Sequence, residues 1–267
     1  MDPARPRDNG SVGIRAARPH IWGMTDQPLR VASYNIRKCI GLDRRRRPDR
    51  IAEVIAGLGA DIVALQEADR RLGARPAALT PAHLDGSGLQ ALPIARNGVS
   101  LGWHGNAILV RRGIAMTDLH RLDLPGLEPR GAVIADLAGP GGPLRVVATH
   151  LGLTRRHRRQ QLDRITGVVN GLSPLPTIIL GDFNEWASLR GLEPLSAGYT
   201  VLAPGHSFHA ARPIAPLDRI AHCAQLTLTD AGVVETPLSA RASDHLPIWA
   251  EIRLTDQNAS GLASRAM

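Results

Sequence analysis

The stretch TIILGDFNEW, residues 177–186, decides how the chain is read. Ile178, Ile179 and Leu180 run continuously rather than alternating with polar residues, as in a strand buried on both faces. Gly181 suits a sharp turn at the end of that strand. Asp182 and Asn184 then stand at a sheet edge with short, oxygen-bearing side chains. Asp and Asn also favour ordinary turns, where they bond their own backbone, so the choice between turn and site rests on the remaining sequence.

Outward from this stretch the chain alternates strands and helices without an internal repeat or linker. LRVASYNI (29–36) reads as a strand. In RRRRPDRIAEVIAGLGAD (44–61), Ile51, Val54, Ile55 and Leu58 fall on one face of a helix that Pro48 and Asp49 would start. DIVALQE (61–67) is an apolar strand ending in a carboxylate. Residues 71–104 are rich in Pro, Gly and Ala and predict a long surface excursion. GNAILV (105–110) and RGAVIADL (130–137) read as strands, and GPGGP (139–143) turns the second into LRVVATHL (144–151) as an antiparallel pair. TRRHRRQQLDRITGVVNGL (154–172) reads as a helix with Leu162, Ile165, Val169 and Leu172 inward and arginines outward. EWASLRGLEPL (185–195) predicts a short helix, and LDRIAH, LTLTDAGVV and LPIWAEIRL supply the closing strands. Strands that come both in neighbouring pairs and separated by helices imply a mixed sheet, or two packed sheets, with helices outside.

A chain of 267 residues can bury one large core. No apolar run is long enough to span a bilayer, so membrane insertion is not expected. The net charge is +8 and Lys38 is the sole lysine. Arginine suits phosphate through its planar fork of donors, and the basic balance is compatible with a polyanionic partner. An arginine-rich compositional bias would produce the same balance. Cys39 and Cys223 make neither a disulfide framework nor a zinc site and read as reduced thiols of a cytoplasmic protein. Residues 1–28 lack a signal-peptide core and are expected to be a disordered extension, with Met24 an alternative start. Residues 29–254 form the domain, and 255–267 a disordered tail. A monomer is expected.

Polar residues punctuate these strands: Asn35, Glu67, Asn106, His150, Asp182 with Asn184, Asp218, and Asp244 with His245. Any one alone reads as a turn or cap. Together they are four carboxylates, three amides and two imidazoles, a set suited to a hard, oxygen-preferring cation and to proton transfer.

The ordered motifs YNIR, ALQEAD, GNAIL, ATHLG, GDFNEW, LDRI and SDHLP resemble the signature of the endonuclease/exonuclease/phosphatase superfamily, which includes DNase I-like nucleases, exonuclease III-like repair enzymes, inositol polyphosphate phosphatases and neutral sphingomyelinases. The resemblance covers Leu29 to Leu254. It implies an α/β fold, a four-layer α/β/β/α sandwich of two packed mixed sheets flanked by helices, with the site where the sheets meet. It implies a metal-dependent phosphoric ester hydrolase using Mg²⁺, or Mn²⁺ in its place, most readily a nuclease on nucleic acid. A phospholipid or small phosphorylated metabolite is the rival substrate, and a silent polyanion-binding module the rival to catalysis. By the same resemblance Glu67, Asn35 and Asp244 match the metal side. Asp182 and Asn184 match the pair near the attacking water, and His245 with its orienting Asp218, together with His150, match the phosphate-contacting imidazoles. Asn106 and Arg130 fall where phosphate neighbours lie.

Some positions depart from that pattern. Arg37 stands where several relatives carry a second acid, which favours one principal metal. The runs Arg44–Arg47 and RRHRR (155–159) suit either a nucleic-acid rim or a solvated helix face. At 3% aromatic residues the chain lacks a stacking track for single strands. Trp186 is expected to pack, with lining the cleft as the lesser alternative, and His104 is a candidate rim residue.

Overall fold

In the computed structural model the described residues are 28–188 and 190–255. The expected disordered ends, 1–28 and 255–267, lie almost wholly outside them. The strands are β1 (Leu29–Asn35), β2 (Ile62–Gln66), β3 (Leu89–Ala91), β4 (Ala107–Arg111), β5 (Ala115–Leu124), β6 (Arg130–Gly139), β7 (Gly142–His150), β8 (Thr177–Asp182), β9 (Thr200–Leu202), β10 (Asp218–His222), β11 (Leu226–Val233) and β12 (Ile248–Leu254). The helices are α1 (Pro48–Gly57), α2 (Arg155–Gly171) and the single turn α3 (Ser239–Ala242). Two six-stranded sheets result, ordered β11-β12-β1-β2-β4-β3 and β5-β6-β7-β8-β10-β9.

Each sheet contains one parallel step, β1 to β2 and β7 to β8. A parallel step needs a crossover, and α1 and α2 supply the two. The side-chain period of two then sorts the core. Val31, Ile62, Ala64, Val146, Ala148, Ile178 and Leu180 fill the space between the sheets. Ala32, Tyr34, Val63 and Leu65 face outward and pack with Ile51, Val54 and Ile55 of α1. Val147 and Ile179 pack with Leu162, Ile165 and Val169 of α2. The layers are therefore α/β/β/α. The run at 178–180 is apolar throughout because both of its faces are covered. No helix among the described residues is long and apolar enough to cross a membrane.

Four local expectations are corrected. The edge strand β5 occupies 115–124, where the sequence suggested no element; its outer face is largely exposed, so Thr117, Asp118, His120 and Asp123 interrupt any apolar pattern. Residues 71–104 are more than surface, burying Leu79, Leu84, Leu89, Leu92 and Ile94 and adding β3 to the sheet. No α-helix forms among the described residues of 185–195, which hold only a three-residue 3-10 turn at Glu193–Leu195. The arginines of α2 are not all outward either, since Arg158 is buried.

Gly181 is also needed for a different reason. It sits inside β8, paired with Thr149 and Arg219, and a Cβ there would lie 1.9 Å from the main-chain oxygen of Thr149. Close strand approach, not a turn, excludes a side chain. Gly181→Ala should therefore cost about 3 kcal/mol, the upper end of overpacking effects, read as a lowered urea midpoint. An unchanged midpoint would contradict this packing.

Candidate active site

The two parallel steps bring the C-terminal ends of β1, β2, β7 and β8 to one end of the sandwich. Register places His150 beside Asp182, and Asp182 opposite Asp218. Asp182 is 1% exposed and central. Its Oδ2 accepts from Asn35 Nδ2 at 3.0 Å and lies 3.3 Å from His150 Nε2 and 3.6 Å from His245 Nε2. Its Oδ1 accepts from the main-chain N–H of Asn184 at 2.9 Å. The other ring nitrogen of His245, Nδ1, is 2.8 Å from Asp218 Oδ2. That carboxylate also accepts from the Ser207 hydroxyl.

These contacts set the protonation states. Burial disfavours charge on both imidazoles. At His150 burial wins, and Arg130 and His245 add to it against the pull of Asp182, lowering the pKa to about 3. At His245 burial is outweighed by Asp218 and Asp182, which raise it to about 9. A neutral and a cationic imidazole thus flank the same carboxylate. Asp182, Asp218 and His245 each offer one ligand atom, all within 4.8 Å of one another, and could hold a metal ion. That grouping differs from the expected metal side of Asn35, Glu67 and Asp244.

Glu67 and Asp244 lie against the turn that follows β1. Arg37, Lys38 and Cys39 there have left-handed backbone (φ 45, 56 and 60). Lys38 Nζ ion-pairs with Glu67 Oε2, and Arg37 Nε lies 3.2 Å from Asp244 Oδ2. Burial, followed by the charge of Arg71, lowers the Lys38 ammonium to about 8. Ser243 ties this region to the first, donating its hydroxyl to the Asn35 carbonyl at 2.7 Å. Cys39 is buried and free, and burial pushes its thiol up to about 12, a state without nucleophilic use at neutral pH.

The remaining candidates line the other side. Asn106 donates to the carbonyls of Trp103 and Gly131 at 3.2 and 3.0 Å, which makes it a staple between the sheets. Its Oδ1 and the Nε of Arg130 are both buried without a partner. Arg130 interacts electrostatically with Asp182. Asn184, with φ 51, spends its amide on the Leu151 carbonyl at 2.9 Å. His104, the candidate rim residue, lies 2.8 Å from Asp123 and 3.3 Å from Arg75. Sequence reasoning did not single out Ser207, Ser243 or Lys38. The first two follow no strand pattern, whereas Lys38, noted as the sole lysine, was not connected to the YNIR motif it follows.

Glu185, also missed, holds the loop after β8. It is fully buried and receives Arg155 Nε and Nη2 at 3.1 and 3.0 Å and Arg158 Nη2 at 2.6 Å. The first turn of α2 carries no acid of its own, so this carboxylate supplies the charge that a helix N-terminus favours. Burial pushes the Glu185 carboxyl up, but hydrogen bonds from Arg155, the Ala187 N–H and Arg158 outweigh it and hold it at about 2.

Residues 32–245 match the Endonuclease/Exonuclease/phosphatase family, and the chain belongs to that family. Its members are usually phosphoester hydrolases and usually employ divalent metals. The chain is 30% identical to the protein YbhP of Escherichia coli K12, over 85% of this chain and 96% of that one. Three solved structures share the fold. The human Nocturnin catalytic domain with bound sulfate has a TM-score of 0.66 at 19% identity, covering 86% of this chain and 94% of that chain. A mannosyl-6-phosphatase of Bacteroides thetaiotaomicron gives 0.65 at 18%, covering 84% and 99%. TDP2 of D. rerio with single-strand DNA product gives 0.64 at 18%, covering 85% and 100%.

Because Glu185 is depressed from 4.5 to about 2, its stabilisation is fully present above pH 4.5 and is lost as pH falls toward 2. Glu185→Gln should cost about 3 kcal/mol at pH 7. In thermal melts the gap between variant and parent should close between pH 4.5 and 2. A gap that does not change with pH would show that the charge of Glu185 contributes nothing.

Proposed function

We propose that this chain is a divalent-metal-dependent phosphodiester hydrolase acting on nucleic acid. The observation that carries the reading is the Asp182 carboxylate, held between Asn35 and the imidazoles of His150 and His245. Ground-state turns do not need that arrangement, whereas a phosphoryl centre does. Asp182 orients the attacking water through its carboxylate and accepts its proton. His245, kept cationic by Asp218, donates a hydrogen bond or proton to an oxygen on phosphorus. Neutral His150 donates from Nε2, and Arg130 adds a fixed positive charge where negative charge accumulates.

The metal site proposed is Glu67, Asp244 and the carboxamide oxygen of Asn35, with Mg²⁺ or Mn²⁺ as the ion. These donors are all oxygen, the preference of a hard cation, and Lys38 and Arg37 show that both carboxylates already draw cations. The alternative grouping around His245 fits less well, because Nδ1 of that ring is committed to Asp218. When bound, the ion neutralises charge on the phosphoryl oxygens.

Plasmid nicking in the presence of Mg²⁺ tests the reaction. EDTA should abolish it, and Asp182→Asn, assayed well below its melting temperature, should lower the rate by about a thousandfold, within the range for general acid–base groups. Nicking retained by Asp182→Asn, or turnover of sugar phosphates or phospholipids alone, would overturn the nuclease reading.

Lys38 tests the metal assignment separately. Its ammonium competes with the ion for Glu67, so Lys38→Met should tighten Mn²⁺ binding by about fivefold in calorimetry, the equivalent of a 1 kcal/mol ion pair. Weaker binding in the variant would place the ion elsewhere.

A further inference from the structure

Trp186 is the second residue beyond Asn184 and is 59% exposed. The other tryptophans among the described residues have partners: Trp103 donates its Nε1 to the Leu122 carbonyl, and Trp249 lies under the Arg30 guanidinium at 3.6 Å. Exposing an indole forgoes a large burial gain, and the sequence led to the expectation that Trp186 packs.

Both neighbours of Trp186 are fixed. Glu185 is clamped by Arg155 and Arg158. The fully buried Arg219 donates from Nη2 to the carbonyls of both Glu185 and Ala187, at 3.0 and 3.1 Å. Arg155 and Arg158 thus hold the Glu185 side chain, and Arg219 pins the main chain on either side of one outward-facing ring. The indole meets Phe208 edge-on at 6.5 Å between centroids, and Phe208 lies 5.0 Å from the His245 ring. Trp186 is therefore two ring contacts from the His245 imidazole, on an anchored support, with most of its surface open.

We propose that Trp186 is a stacking platform for one nucleobase, the base of the nucleotide whose phosphate lies against Asp182 and His245. The proposal rests on the phosphate-site reading given above and adds the substrate feature recognised beside it. A flat π-face pinned next to the candidate phosphate site matches a molecule that joins a planar ring to a phosphate. Stacking is tolerant of base identity, so the platform confers a preference for nucleotides without sequence specificity. One ring serves one base; the chain provides no aromatic series for a longer single strand.

The test compares thymidine 5′-monophosphate with 2-deoxyribose 5-phosphate, which carry the same phosphate and differ in the base. Binding is followed by tryptophan emission and by calorimetry, with Mg²⁺ present, in the parent and in Trp186→Phe and Trp186→Ala. The nucleotide should quench the parent's emission and bind about tenfold more tightly than the sugar phosphate. Trp186→Ala should erase that advantage, and Trp186→Phe should keep most of it while losing the quench. In turnover, the ratio of kcat/KM for an oligonucleotide over the same oligonucleotide lacking the base at the cleaved position should fall by a similar factor in Trp186→Ala. A structural role would lower both rates and leave the ratio unchanged. Equal affinity for the two ligands, or quenching by phosphatidylglycerol vesicles and not by the nucleotide, would overturn the platform. Metal-dependent turnover of bis-p-nitrophenyl phosphate reports on the hydrolase reading independently. Its absence would sink that reading, while the nucleotide-over-sugar comparison would still decide the subsite.

Discussion

One buried hydrogen bond joins the two halves of this protein where it matters, from the Asn35 amide on one sheet to the Asp182 carboxylate on the other. The layer between the sheets is aliphatic, and apolar packing is non-directional. It holds the sheets together without dictating their offset. A hydrogen bond to a buried carboxylate is directional and strong, and its loss would leave that carboxylate short of a donor in a place water does not supply one. This contact therefore holds the geometry of the candidate site and, together with the Asn106 bond to the Gly131 carbonyl, the offset of the sheets. Ser243, bonded to the Asn35 carbonyl, brings the loop bearing Asp244 and His245 into the same frame.

The charges around that contact are balanced in order. Asp218 and Asp182 stand on either side of His245 and keep it cationic, so two buried carboxylates share one buried cation. His150 lies against Asp182 too, but the cations Arg130 and His245 face it as well, and it stays neutral. Two imidazoles in one pocket therefore take different protonation states because only one has a carboxylate behind it. Such an arrangement is costly for stability if any member is removed, and on the reading proposed above it would orient donors toward a phosphate's oxygens.

Much of this was legible in the sequence because strand ends are where apolar patterns stop. Asn35, Glu67, His150, Asp182, Asp218 and His245 each interrupt or end an apolar run, and topology then gathers those ends at one edge. What escaped reading lacked such a signal. β5 is an edge strand whose outer face meets solvent, so its polar residues mask it. Ser207 reaches Asp218 from a segment with no period at all. The segment 185–195 has helix-forming composition, yet Glu185 is drawn into the arginines of α2 and its neighbours into Arg219, which holds the chain irregular. Gly181 was noticed for the wrong reason: flexibility is visible in the residue type, whereas the nearness of the Thr149 carbonyl is a property of the pairing.

The single lysine follows from the same chemistry. Elsewhere the chain uses guanidinium, whose planar fork suits several acceptors at once, as Arg158 and Arg219 show with carbonyls of two residues each. The position after Arg37 offers one carboxylate, Glu67, in a half-buried place reached from left-handed backbone. A guanidinium there would carry donors with nothing to bond, whereas an ammonium is a compact charge on a flexible stem. Being compact and partly desolvated, it is held less strongly in its charged form, as its lowered pKa reflects. Against Glu67 the chain thus places a compact point charge that needs a single acceptor, where a guanidinium's fork would call for several.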